Sequence, residues 1–194
     1  KKIVEFKTKQ AKDILKKIKI CIATKQFSLN GCKHGISISK IFSDQDVFDT
    51  IAIKFHDSTE NLITLKTILE CLKRLSDSYI EIVTKTNVGY NTILKMYEEG
   101  IVTSSSPNIN QMIDIVNELR NSSNIVTFKY EKEEFKQLAY DLNLEAELDT
   151  FKKQILNGNK VDSSVIDLSK DSITHKYPNL PVFKTIGTTP EDFK

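Results

Sequence analysis

The sequence predicts an α/β domain, with a mixed five-stranded sheet flanked by helices and elements in the order β-β-β-α-β-α-α-β-α. Three observations carry this. Between Ile18 and Phe55, apolar and polar residues alternate in three runs joined by short turn segments, the pattern of consecutive antiparallel strands. From Leu62 the apolar period lengthens to that of a helix. Beyond Tyr79, short β-branched runs alternate with helical stripes, as when helices cross over between strands of one sheet.

Residues 8–17 have helical character, with Ala11, Ile14 and Leu15 on one side. A first strand over 18–23 follows, and Asn30-Gly31 is a turn signal. Residues 35–42 alternate as a second strand, Ser43-Asp44-Gln45-Asp46 makes the next turn, and residues 47–55 form a third strand. Leu62, Leu65, Ile68, Leu69, Leu72 and Leu75 recur at helical spacing, and Asp57, Ser58 and Thr59 are cap candidates. Residues 79–84 read as a strand, residues 90–98 as a helix stopped by Gly100, and Ser104 to Pro107 as a loop. Ile109, Met112, Ile113, Val116 and Leu119 mark another helix, residues 125–130 a fifth strand, and a last helix starts near Lys132 and continues toward Leu156. The organisation expected is a lysine-rich helical segment over 1–17, the α/β domain over 18–157 and an extended tail over 158–194, where periodicity is lost around Pro178, Pro181 and Pro190.

Composition excludes several classes. Apolar residues are 39% of 194 and charged residues 28%, too apolar for a disordered chain. No apolar run reaches the roughly 18 residues of a membrane span, and no signal-peptide pattern opens the chain. The chain lacks an initiating Met, which fits a piece of a longer protein. Cys21, Cys32 and Cys71 are odd in number without CxxC spacing, and they do not pair with His34, His56 or His175. They are expected to be reduced thiols in an intracellular, reducing compartment, with no metal site and no cofactor. Net charge is +2, but Lys1, Lys2, Lys7, Lys9, Lys12, Lys16, Lys17 and Lys19 face only Glu5 and Asp13. Lys9, Lys12, Lys16, Lys17 and Lys19 thus form a candidate basic patch for phosphates or an acidic partner, although a solvated lysine-rich face explains the same block.

The element order, with Asp57-Ser58-Thr59-Glu60-Asn61-Leu62 leading into one long helix, Ile80 to Asn87 as strand and turn, and Phe135-Lys136-Gln137-Leu138-Ala139 in the last helix, resembles the ribonuclease H family over about 18–145. The resemblance implies three antiparallel strands, a fourth strand parallel to the first, a fifth strand and a closing helix. Active members hold two Mg²⁺ ions with four carboxylates, because hard divalent cations about 4 Å apart need several anionic oxygens. Carried over, the first-strand aspartate falls on Lys25, the helix glutamate on Asn61 with Glu60 beside it, the fourth-strand aspartate on Lys85 and the last-helix aspartate on Lys136. Residues 22–27 and 83–90 contain no Asp or Glu. The family's glycine-rich, histidine-bearing loop is missing too, since Tyr130 runs into Glu131-Lys132-Glu133-Glu134.

The reading that follows is a chain without nuclease activity. It would be a structural, tethering or protein-interaction module of a larger nucleic-acid-processing assembly. In the alternative, Lys25, Lys85 and Lys136 converge with Asn61 at the former metal site and meet phosphates of RNA, DNA or a hybrid directly. An active nuclease remains a further alternative. So does a sliding-clamp-like processivity factor, because the helix and hairpin of residues 3–38 also resemble half of a clamp domain, whose sheet would be wholly antiparallel. No GxSxG, HExxH or phosphate-binding glycine loop points to another enzyme, and the pairs Glu98-Glu99 and Glu133-Glu134 diverge by about 100° on helices.

Overall fold

Asn30 and Gly31 take positive φ, 52° and 80°, the geometry that lets a two-residue turn match the twist of the strands it joins. They connect β2 (Lys16–Leu29) to β3 (Cys32–Ser43), and a second tight turn, with Asp44 at φ 56°, leads into β4 (Asp46–His56). The computed structural model describes residues 3–6, 15–102 and 104–169. After the meander come α1 (Glu60–Lys73), β5 (Ser78–Thr84), α2 (Tyr90–Glu99), α3 (Ile109–Asn121), β6 (Ile125–Tyr130), α4 (Lys132–Asp141) and α5 (Leu144–Leu156). Two short strands, β1 (Ile3–Phe6) and β7 (Ile166–Asp167), complete a seven-stranded sheet among the described residues, in the order β1-β6-β5-β2-β3-β4-β7. β2 and β5 pair in parallel, as do β5 and β6 and β4 and β7; the other pairs are antiparallel.

This is the α/β arrangement expected, with corrections. The sheet has seven strands rather than five. The amino-terminal segment, expected to be helical, contributes β1, which pairs with β6, and residues of the expected tail contribute β7, which pairs with β4. Lys16 and Lys17, expected at the end of a helix, lie in β2; residues 8–14 of that expected helix are outside the described residues, as are His175, Pro178, Pro181 and Pro190. The closing helix is two helices, because Asn143 adopts φ 59° and ends the continuity between α4 and α5. The parallel pairings overturn the clamp-like reading, which required every pair to be antiparallel.

Strand alternation divides the core between the faces. Ile18, Ile20 and Ile22 of β2 pack with α1, α2 and α3, while Cys21 and Ala23 pack with Leu144, Leu148, Phe151 and Ile155 of α5. On the first face α1 is capped by Thr59, whose side chain accepts from Leu62 N, and it comes so close to β3 that a Cβ at Gly35 would collide with Ile63 Cδ1. Tyr90 stacks on Phe128 at 4.3 Å, and Phe6 meets the same Phe128 edge-on at 5.4 Å, which ties β1 to the core. Burial pushes the thiols of Cys21 and Cys71 up to about 12, so both are protonated at neutral pH.

α5 is held by an apolar stripe and by charge. Lys25 pairs with Asp149 and, at 3.8 Å, with Glu145, while Lys40 pairs with Glu147. The hydrogen bond from Lys25 holds the Asp149 carboxyl below its usual range. Leu148→Ala should destabilise the protein by about 2–5 kcal/mol, measured by urea unfolding, because Leu148 is fully buried. A carboxyl whose pKa is depressed on folding contributes stability above its unfolded value, about 3.9, and loses it as pH falls through the folded value. The stability gap between wild type and Asp149→Asn should therefore be present at pH 7 and close as pH drops below about 4, in unfolding curves recorded at each pH.

Candidate functional site

The parallel register of β2 and β5 aligns Cys21 with Val83, so residues 22–24 run beside the carboxyl end of β5 at residues 84–86. In a parallel α/β sheet the crevice beyond strand carboxyl ends is where ligands are held. Here a cleft of about 1360 Å³ opens at that place. Ile22, Ala23 and Thr24 of β2 and Thr84, Lys85 and Thr86 at the end of β5 form its floor. One wall is the first turn of α1, with Glu60 and Thr64, and the other is α4 with the start of α5.

The floor is tied down by hydrogen bonds. The Thr84 hydroxyl lies 3.1 Å from the Thr86 carbonyl oxygen and 2.8 Å from the Tyr90 hydroxyl. Asn87 accepts from the backbone N–H of Gly89 and of Tyr90, both at 2.8 Å, which fixes the loop from β5 into α2. In the α1 wall Thr64 donates to the Glu60 carbonyl at 3.0 Å. In the α4 wall Glu131 caps the helix by accepting from Glu133 N and Glu134 N.

Charge is mixed. Lys85, Lys132 and Lys136 line the cleft with Glu60, Glu133, Asp141 and Glu145. The side chains of the three lysines make no ion pair or hydrogen bond among the described residues. Asp141 accepts from Gln137 at 2.9 Å. Lys132, Lys136 and Tyr140 follow one another at four-residue spacing, so they form a stripe along α4, and Tyr140 is 80% exposed. The acids all come from helices, and the strand ends provide none.

Of the residues singled out in the sequence, Lys85 and Lys136 share this cleft. Lys25 is not among its lining residues, so the three lysines do not all converge there; it meets the cleft's edge only through its partner Glu145. Its parity on β2 is that of Cys21 and Ala23, so it turns to the α5 face, where Asp149 takes its charge. Asn61 also falls outside the cleft: Glu60 and Thr64, four residues apart, face it, and Asn61 is exposed one position round the helix. Of the amino-terminal patch, Lys16, Lys17 and Lys19 lie on β2 and not on a helical face. Lys16 lies over the Phe48 ring at 4.6 Å and Lys19 pairs with Glu81 at 3.3 Å, Lys17 lies between them on the same strand, and Lys9 and Lys12 are outside the described residues. Sequence reasoning missed Lys132, Thr84 and Tyr140; the four-residue spacing of Lys132, Lys136 and Tyr140 was the available signal.

No known family model matches the chain, and no curated protein matches it. Solved structures do. LC9-RNase H1, described as a type 1 RNase H with the type 2 active-site motif, is 11% identical over 64% of this chain and 70% of its own, with a TM-score of 0.48. RNase H1 from the halophilic archaeon Halobacterium salinarum NRC-1 is 10% identical over 67% and 92%, with a TM-score of 0.46. LC11-RNase H1, solved in complex with an RNA/DNA hybrid, is 12% identical over 60% and 86%, with a TM-score of 0.44. The strand pairing itself, with an antiparallel β2-β3-β4 meander, β5 parallel to β2 and β6 parallel to β5, gives this chain a ribonuclease H-like fold.

Proposed function

We propose that the chain is a non-catalytic ribonuclease H-like module that acts by holding other macromolecules, as a structural or tethering domain of a nucleic-acid-processing assembly. The chemistry of the cleft floor carries this reading. Two Mg²⁺ ions about 4 Å apart need anionic oxygens from more than one element. Residues 22–24 and 84–86 supply isoleucine, alanine, threonine and lysine instead. Among the described residues no three His, Cys, Asp or Glu side chains are grouped to hold a metal ion. The ammonium of Lys85, at the strand end, repels a cation that approaches the floor. No helix among the described residues is long and apolar enough to cross a membrane. With an RNA/DNA hybrid and Mg²⁺ or Mn²⁺, the full chain should give no cleavage above a no-protein control. Cleavage that disappears in Glu60→Gln would overturn the proposal.

A second reading, direct contact with nucleic acid, is favoured by Lys85, Lys132 and Lys136, unpaired among the described residues, beside exposed Tyr140. Ammonium groups answer phosphates and an exposed ring offers a stacking surface. It stands second because four carboxylates line the same cleft. Three phosphate contacts imply a log–log slope of affinity against salt of about −2 to −3. Binding of a labelled hybrid or single strand should show that slope, and Lys85→Glu or Lys136→Glu should each lower its magnitude by about 1. No binding at low salt removes this reading and leaves the tethering one.

A further inference from the structure

His34 and His56 are direct partners in the antiparallel pairing of β3 with β4. Their ring centroids lie 5.4 Å apart, with the planes at 72°. Opposed partners project to the same side of a sheet. Phe27 of β2, the partner of His34 on its other flank, stacks on it at 5.7 Å and belongs to the apolar cluster around α5. The two imidazoles therefore sit on the α5 side of the sheet, and neither lines the cleft.

We propose that His34 and His56 together chelate one late first-row divalent metal ion, of the Cu²⁺, Ni²⁺ and Zn²⁺ class, with the remaining coordination positions taken by water. The spacing is the first reason. With metal–nitrogen bonds of about 2.1 Å and a tetrahedral angle, two imidazoles on one ion have ring centres roughly 5 Å apart. The second is that His34 Nδ1 is buried and has no hydrogen-bond partner, so the protein leaves that nitrogen uncommitted. Phe27 steadies the His34 ring from the opposite flank. Among the described residues no third His, Cys, Asp or Glu completes the set, so the ion keeps open, exchangeable positions. Lys54, two residues before His56 on the same side of β4, opposes the cation and places the site among the weaker chelates.

The experiment is calorimetric titration of the full chain with each metal salt alone, in a Cys32→Ser background so that the exposed thiol neither ligates nor reduces copper. One ion should bind per chain, Cu²⁺ more tightly than Ni²⁺ or Zn²⁺. His34→Ala and His56→Ala should each weaken binding at least tenfold, while His175→Ala leaves it unchanged. His56 is exposed, so His56→Asn, which should give the same loss with an unaltered unfolding midpoint in the absence of metal, separates lost ligation from lost folding. Electron paramagnetic resonance of the Cu²⁺ form should show two imidazole nitrogens, and one in His56→Asn. Absence of saturable binding, affinity unchanged by either substitution, or loss only in His175→Ala would overturn the site.

Discussion

The parallel pairing of β2 with β5 is the constraint on which the rest of the molecule depends. Its register sets residues 22–24 beside residues 84–86, so the chain leaves the sheet at that end toward α2, and α1 and α4 rise on either side of the opening. Parallel neighbours cannot be joined by a hairpin. α1 therefore has to cross between β4 and β5, and it covers the sheet face on which Ile18, Ile20 and Ile22 alternate. The cleft is a consequence of this topology and exists whatever side chains line it. What the side chains decide is whether the opening holds cations or something else.

At the floor of the cleft the residues are apolar, hydroxylic and cationic, and none is acidic. A metal-binding floor would hold carboxylates that repel one another until ions arrive. Here hydroxyls take their place. Thr84 shares a hydrogen bond with Tyr90, and Asn87 closes the following turn on backbone N–H groups, while the Lys85 ammonium makes no ion pair or hydrogen bond among the described residues. The acids have moved to the rims, where lysines stand among them.

Much of the fold was legible because its signals are local. The Asn30-Gly31 turn, the period-2 runs on either side of it, the Thr59 cap with the leucine-rich helix, and the Gly100 stop each depend on a few adjacent residues. β1 was not legible, because four residues broken by Glu5 become a strand only through β6, far along the chain. β7 is two residues long and gives no period to detect. The break at Asn143 was masked because Leu138 and Leu142 before it, and Leu144 and Leu148 after it, each keep helical spacing. At the site, the sequence located the right segments but not the right faces. One residue along a helix turns a side chain by about 100°, which separates Asn61 from Glu60, and one residue along a strand changes the face entirely. Lys25 has the parity of Cys21 and Ala23, and that assigns it to the α5 side of the sheet.

The destination of Lys25 also explains why a lysine is tolerated near the strand end. α5 lies across β2 and β3, with Leu144, Leu148, Phe151 and Ile155 supplying the burial that holds it there. An apolar stripe alone tolerates sliding along the sheet, because one isoleucine or leucine is much like the next. The pairs from Lys25 to Asp149 and Glu145, and from Lys40 to Glu147, add markers that match at a single setting. Part-exposed pairs of this kind contribute little to stability. Their value lies in registry, since any shift of α5 would strand like charges or separate opposite ones. A lysine at position 25 thus acts on the placement of a helix. The charge inferred at the cleft from sequence alone is paired with α5, at Asp149 and at Glu145 on the cleft wall, and the lysines that line the cleft are Lys85 and those of α4.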